Sequence, residues 1–196
     1  FDDNLSLPRH RWYEFKEGFS SNLVLEAIRE AQPRPRKLKI LDPFAGSGTT
    51  LVAAGQMNHY AFGIEVNPFL AFASRAKCIG NNWSNIKFNT AVKEVINGSR
   101  QEVLSPVENI STFSEKKGLS KWLFNTSVLR GYTAIDQAIE NITDYQSELK
   151  LALFASLMDC CNAKRDGKCL RYKKNWEALG FNSNSLRENF VARLKN

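Results

Sequence analysis

Apolar positions Leu23, Leu25, Ala27 and Ile28 follow Ser20 and Ser21, either of which can cap a helix running to about residue 31. Pro33-Arg34-Pro35 ends that helix. Residues 38 to 41 predict a short buried strand. Residues 49 to about 57 predict a helix of small side chains that can pack closely on a sheet. A second strand is expected from residue 60 to Glu65, again closing on an acid. Asn67-Pro68 then opens a helix to about residue 77, with proline suited to its first turn. Strand, helix, strand and helix over residues 38–78 imply a parallel pair with a right-handed crossover, the start of an open α/β sheet.

Beyond Gly80 the strand signal fades. Residues 85 to about 104 fit a helix, and residues 105 to 120 are polar and read as a loop. Asn125-Thr126-Ser127 is expected to cap a helix to residue 142, and Asp144 to start another running to about residue 162. In the latter, Leu149, Leu151, Ala152, Leu153, Phe154, Ala155, Leu157 and Met158 are apolar nearly all round, which marks a buried helix. A basic loop follows, then a short terminal helix from about residue 185. The expected organisation is a cofactor-binding α/β portion over residues 1–80 and a mostly helical region over 81–196. Two visible strands fall short of the roughly five in an average sheet, so the sheet is expected to be incomplete.

The 196 residues, 43% hydrophobic, suit a globular protein with a real core. No apolar run approaches the roughly 20 residues of a membrane span, and no secretory signal opens the chain, so an intracellular location without membrane partners is expected. The first residue is not Met, which suggests a piece of something longer. Cys78, Cys160, Cys161 and Cys169 form no CxxC pair, and the adjacent Cys160 and Cys161 read as reduced core or near-core thiols. His10 and His59 stand without matching acids or cysteines, so no metal is expected. The net charge of +7 fits a polyanionic partner.

Candidate chemistry centres on the run from Asp42 to Thr50, a strand that ends in an acid and opens through glycines into a helix. A P-loop would need a lysine to meet phosphates; Gly48 is followed by Thr49-Thr50 instead. A dinucleotide fingerprint would need a third glycine, and Leu51 stands there, which counts against NAD or FAD but leaves them open. S-adenosylmethionine is the third candidate. Asp42, four residues before Gly46, can meet the cationic end of that cofactor, and Gly46 and Gly48 let backbone approach it closely. Glu65, 17 residues after Gly48, can accept hydrogen bonds from both ribose hydroxyls. The bland alternative is a structural turn with incidental acids.

Asp42-Pro43-Phe44-Ala45-Gly46-Ser47-Gly48-Thr49-Thr50 resembles the cofactor motif of the DNA amino-methyltransferases, which modify adenine N6 or cytosine N4. Gly63-Ile64-Glu65-Val66-Asn67-Pro68 is similar to their next motif, which holds ribose and adenine. Lys16-Glu17-Gly18-Phe19-Ser20 resembles the segment that closes over the methionine end. The resemblance covers roughly residues 9 to 80. It implies a Rossmann-like methyltransferase sheet, S-adenosyl-L-methionine as cofactor, and DNA methylation of the restriction-modification kind. By the same resemblance Phe19 and Ser20 would touch the methionine moiety, and Phe44 and Ala45 would shape its pocket.

That family holds its target amine with a [D/N/S]-P-P-[Y/F/W] tetrapeptide. Such an amine is a poor nucleophile, so its hydrogens need acceptors and the flipped base needs an aromatic face. The six prolines here are all isolated, so no residue is assigned a catalytic role. The tetrapeptide is expected on a missing segment or partner chain. Gly167-Lys168-Cys169-Leu170-Arg171-Tyr172 loosely matches the segment that precedes it in relatives. A non-catalytic cofactor- or DNA-binding subunit and an RNA methyltransferase are the alternatives. For DNA, the candidate contacts are Lys164, Arg165, Lys168, Arg171, Lys173 and Lys174, six cations against the single acid Asp166, with a solvated surface loop as the bland reading.

Overall fold

The computed structural model describes residues 4, 6–13, 15, 18–31, 36–78, 83–166 and 169–195, and the backbone alone of residues 165 and 166. The chain divides into two compact units, Phe1–Trp83 and Ser84–Asn196. Among the described residues it is a mixed α/β chain with two small two-stranded sheets and no closed barrel.

In the first unit, α1 (Ser21–Ala31) precedes β1 (Lys39–Asp42), α2 (Thr49–Gln56), β2 (Tyr60–Gly63) and α3 (Pro68–Cys78). β1 and β2 pair in parallel, Lys39 opposite Tyr60 through Asp42 opposite Gly63, as the strand–helix–strand pattern predicts. Side chains alternate across a strand, so Ile40, Asp42, Ala61 and Gly63 share one face while Leu41, Tyr60 and Phe62 share the other. The first face is closed by α2. A Cβ on Gly63 would lie 2.8 Å from the Ala45 side chain and 2.9 Å from Leu51, so only glycine fits there. Ala53 and Ala54 are fully buried, and α1 and α3 both pack against α2. On the second face, Leu41 is 64% exposed, Phe62 62% and Ile64 56%.

The second unit holds α4 (Asn85–Gly98), α5 (Thr126–Glu140), α6 (Gln146–Asp159), β3 (Ala163–Asp166), β4 (Cys169–Tyr172) and α7 (Ser183–Leu194). Its core joins Val95, Val128, Ile135, Ile139, Leu149, Leu153, Leu186 and Phe190. Burying such side chains contributes about 1.5–3 kcal/mol each before entropy is counted.

Three expectations are corrected here. The helix from residue 85 stops at Gly98, six residues early, where Asn97-Gly98-Ser99 favours termination and the Ser99 N–H bonds Val95 O at 3.0 Å. Asn125 makes no side-chain cap on α5. Its amide instead accepts from Trp122 Nε1 at 2.8 Å and from Asn162 Nδ2 at 3.1 Å, and donates to Phe181 O at 2.8 Å. The basic loop is an antiparallel hairpin, Ala163 opposite Tyr172 and Lys164 opposite Arg171.

Candidate functional site

Backbone geometry at the carboxyl ends of β1 and β2 builds the loop. Asp42, buried at the end of β1, accepts the Phe44 N–H on Oδ1 at 3.0 Å, which turns the chain sharply off the strand. Ala45 N–H bonds Ile64 O at 2.9 Å and Gly48 N–H bonds Ala45 O at 2.8 Å. Gly46 and Gly48 take φ of +53° and +87°, where a side chain is strained. A Cβ on Gly48 would lie 2.6 Å from Ser74 Oγ and 3.0 Å from Ser74 Cα, so α3 leaves no room for one. Ser47 and Thr49 are buried beneath the loop, Thr50 is half-buried in the first turn of α2, and Ala45 is buried.

Glu65 ties the two strand ends together. Its Oε2 accepts the Gly46 N–H at 2.9 Å and its Oε1 accepts the Asn67 N–H at 2.7 Å. Two further lone-pair positions remain on that carboxylate. Asn67 Oδ1 in turn accepts from Phe69 and Leu70 N–H at 3.0 and 3.2 Å, capping α3 just ahead of Pro68. Val66, Pro68 and Phe44 stand exposed around this rim. The structure thus brings Asp42, Gly46, Gly48 and Glu65 to one loop, as their spacing predicts.

The segment before α1 lies across the same loop. The Phe15 ring sits 3.5 Å from where a Gly46 Cβ would be, and a Gly18 Cβ would lie 3.5 Å from Thr49 Oγ1. Asn4 donates to Phe19 O at 2.6 Å and accepts the Ser21 N–H at 2.9 Å. Phe19 is exposed and Ser20 half-buried. Lys77, only 2% exposed, donates from Nζ to Tyr13 O at 3.0 Å. Burial lowers its pKa to about 8, against a smaller opposing pull from Cys78. Burial also pushes the Cys78 thiol up, with Arg9 and Lys77 acting the other way. Lys16 and Glu17 lie outside the described residues.

The second unit presents the hairpin. Lys164 and Arg171 are exposed and directly opposed across the strands. Lys173 is committed elsewhere, donating to Asp159 O at 2.9 Å and lying 4.9 Å over the Phe181 ring. Lys174 is exposed. Lys168, Gly167 and the side chain of Arg165 lie outside the description. Lys121, 5.4 Å over the Tyr172 ring, adds a cation beside the hairpin that no sequence signal marks.

The DNA methylase family model matches residues 13–75, the stretch from Tyr13 across both strands to Arg75. The match is confined to this segment. Relatives similar to the chain are the Type II methyltransferase M.AvaI of Nostoc sp. and of Anabaena variabilis, each 46% identical over 68 residues, 35% of this chain and 14% of theirs. The Type II methyltransferase M.BsoBI of Geobacillus stearothermophilus is 28% identical over 176 residues, 88% of this chain and 33% of its own length. The chain therefore spans a third or less of the curated relatives it matches. No solved structure matches it at the stringency these relatives meet. The matched segment includes the glycine loop, Glu65, Phe15 and Ser74; Lys77 lies two residues past its end. Among the described residues no group of His, Cys, Asp and Glu could hold a metal ion, and no helix is long and apolar enough to cross a membrane.

Proposed function

We propose that the matched segment holds S-adenosyl-L-methionine at the carboxyl ends of β1 and β2, for methyl transfer to adenine N6 or cytosine N4 of DNA. One observation carries the reading: Asp42 ends β1, Glu65 follows β2 by two residues, and the two acids flank a loop whose glycines take positive φ, with no room for a side chain at Gly48. Carboxyl ends of parallel strands are where open sheets take ligands. The residues fit this cofactor. Asp42 is placed for its amino or sulfonium cation, and Glu65 keeps acceptor capacity for ribose hydroxyls. Gly46, Ser47 and Gly48 form the wall, and Phe19, Ser20, Phe44, Ala45, Val66, Asn67 and Pro68 its rim, with Thr49 and Thr50 opening α2 behind it. When bound, S-adenosylmethionine supplies an electrophilic methyl group on sulfur. The chain's own residues would bind and orient it, and exclude water beneath Phe15.

Chemistry at the amine would come from a further segment or partner chain bearing the tetrapeptide. The uncovered face of Leu41, Phe62 and Ile64 supports this, because parallel strands are ordinarily covered on both faces in a larger Rossmann-like sheet. Lys164, Arg171 and Lys174 would meet DNA phosphates, with Lys168 and Arg165 of the same hairpin. The missing tetrapeptide also favours a second reading, a donor- or DNA-binding subunit without chemistry of its own. Calorimetry with S-adenosylmethionine and transfer of labelled methyl to DNA separate the two. Binding without transfer, with transfer restored by the polypeptide carrying the tetrapeptide, supports the split enzyme. Undiminished binding by both Asp42→Ala and Glu65→Ala would overturn the site.

A further inference from the structure

We infer that Lys77 is a positioning residue for the donor site, fastening the segment before α1 at a fixed height over the glycine loop. The inference rests on the cofactor reading above and adds a residue that neither the motifs nor the matched segment contains.

Ser74 and Lys77 are three residues apart on α3 and so share a face. Ser74 abuts Gly48, the floor of the loop. Lys77 reaches the covering segment: Nζ donates to Tyr13 O at 3.0 Å, and its own carbonyl accepts from Arg9 Nη1 at 3.5 Å. The Tyr13 ring meets Phe69 of the same helix edge-on at 5.0 Å. Two residues past Tyr13, the Phe15 ring lies against Gly46. One turn of α3 thus touches the loop from below and holds its cover from above. The spacing between the two is set by a single helix.

Energetics single out the ammonium. A buried cation costs several kcal/mol unless it is paired, and among the described residues no carboxylate forms an ion pair with Lys77. Methionine would fill the same volume without that cost. Stability of the unit therefore does not account for a lysine here, whereas attachment of the cover does. Releasing Tyr13 would leave Phe15 to be ordered on each binding event, and affinity would fall by that ordering cost.

The test compares wild type, Lys77→Met and Lys77→Arg in the intact chain by three measurements. These are calorimetry with S-adenosylmethionine, hydrogen exchange of residues 6–20 with and without cofactor, and thermal unfolding. Lys77→Met is expected to melt at or above the wild-type temperature. It should nevertheless bind cofactor about tenfold more weakly and exchange faster across residues 6–20. Lys77→Arg, which keeps N–H donors at that position, should recover most of both losses. A purely structural lysine would move affinity only in step with melting temperature. Wild-type affinity and exchange in folded Lys77→Met would overturn the inference alone. Failure of the wild-type chain to bind cofactor would overturn the donor site, and the inference with it.

Discussion

Gly48 is doubly constrained, by a φ of +87° and by Ser74 Oγ 2.6 Å from where a Cβ would stand. Gly48→Ala should therefore cost about 2–4 kcal/mol, since strain and overlap add, and urea unfolding would read it directly. Gly55, with nothing within 4 Å of its Cβ position, is the control; alanine there should stabilise α2 by up to about 1 kcal/mol. Lys77 gives a pH prediction with a definite sign. Its folded pKa of about 8 lies below the ordinary 10.5, so between those values the unfolded chain binds more protons. Stability should then rise with pH across that window, by at most about 3 kcal/mol, and the full penalty should persist below pH 8. Cys78, whose thiol is pushed up, contributes with the opposite sign, so the measurement is wild type minus Lys77→Met over pH 7.5–10.5 in chemical denaturation. A difference that stays flat would refute the depressed pKa. Asp42, Gly46, Gly48 and Glu65 were legible because strand ends and glycine spacing are local signals. Phe15, Ser74 and Lys77 were not, because their parts arise only from packing between positions 26 to 64 residues apart in the chain.

Elements in the first unit were legible to within about two residues, because each short strand is bracketed by turn chemistry and each helix by a cap or proline. The misses lie in the second unit and have separate causes. Asp144 suggests a start for α6, yet the helix begins at Gln146 behind Tyr145, whose φ is +63° and whose hydroxyl bonds Ser84 N at 2.9 Å and Ser84 O at 3.2 Å. That anchor spans 61 residues and leaves no local trace. The hairpin did leave one: Asp166-Gly167-Lys168 sits between two apolar-and-basic runs, the kind of spacing that two-residue hairpin loops favour, but charge density read as loop. Lys164 and Arg171 stand opposite each other on the exposed pair, so one phosphate could meet both cations. Lys164→Ala should then leave the melting temperature unchanged while weakening DNA binding. The log–log salt slope should flatten by about 0.9 for each phosphate no longer neutralised. Lys173→Ala, removing a cation already bonded to Asp159 O, should lower stability more than it changes that slope.

At the scale of the whole molecule, the two faces of the β1–β2 pair make opposite demands on the chain. One face is packed so closely that Gly63 tolerates no side chain, while the other shows Leu41, Phe62 and Ile64 to water. A contiguous apolar surface of that kind marks an interaction site, and a parallel pair uncovered on one side is the rarer arrangement. If the surface is open in the isolated chain, Phe62→Glu should cost well under about 1 kcal/mol there, because an exposed ring gives up little packing. The same variant should reduce binding of an apolar dye such as ANS and improve solubility. Ala61→Glu, at a half-buried position on the face of β2 turned toward α2, should instead destabilise the unit by crowding a charge against that helix. Under the proposed function, the polypeptide that supplies the tetrapeptide must cover the open face, so Phe62→Glu should bind cofactor normally yet lose methyl transfer when that polypeptide is added. Transfer at wild-type rates by Phe62→Glu would separate the open face from catalysis and leave the donor site to be completed from another side of the molecule.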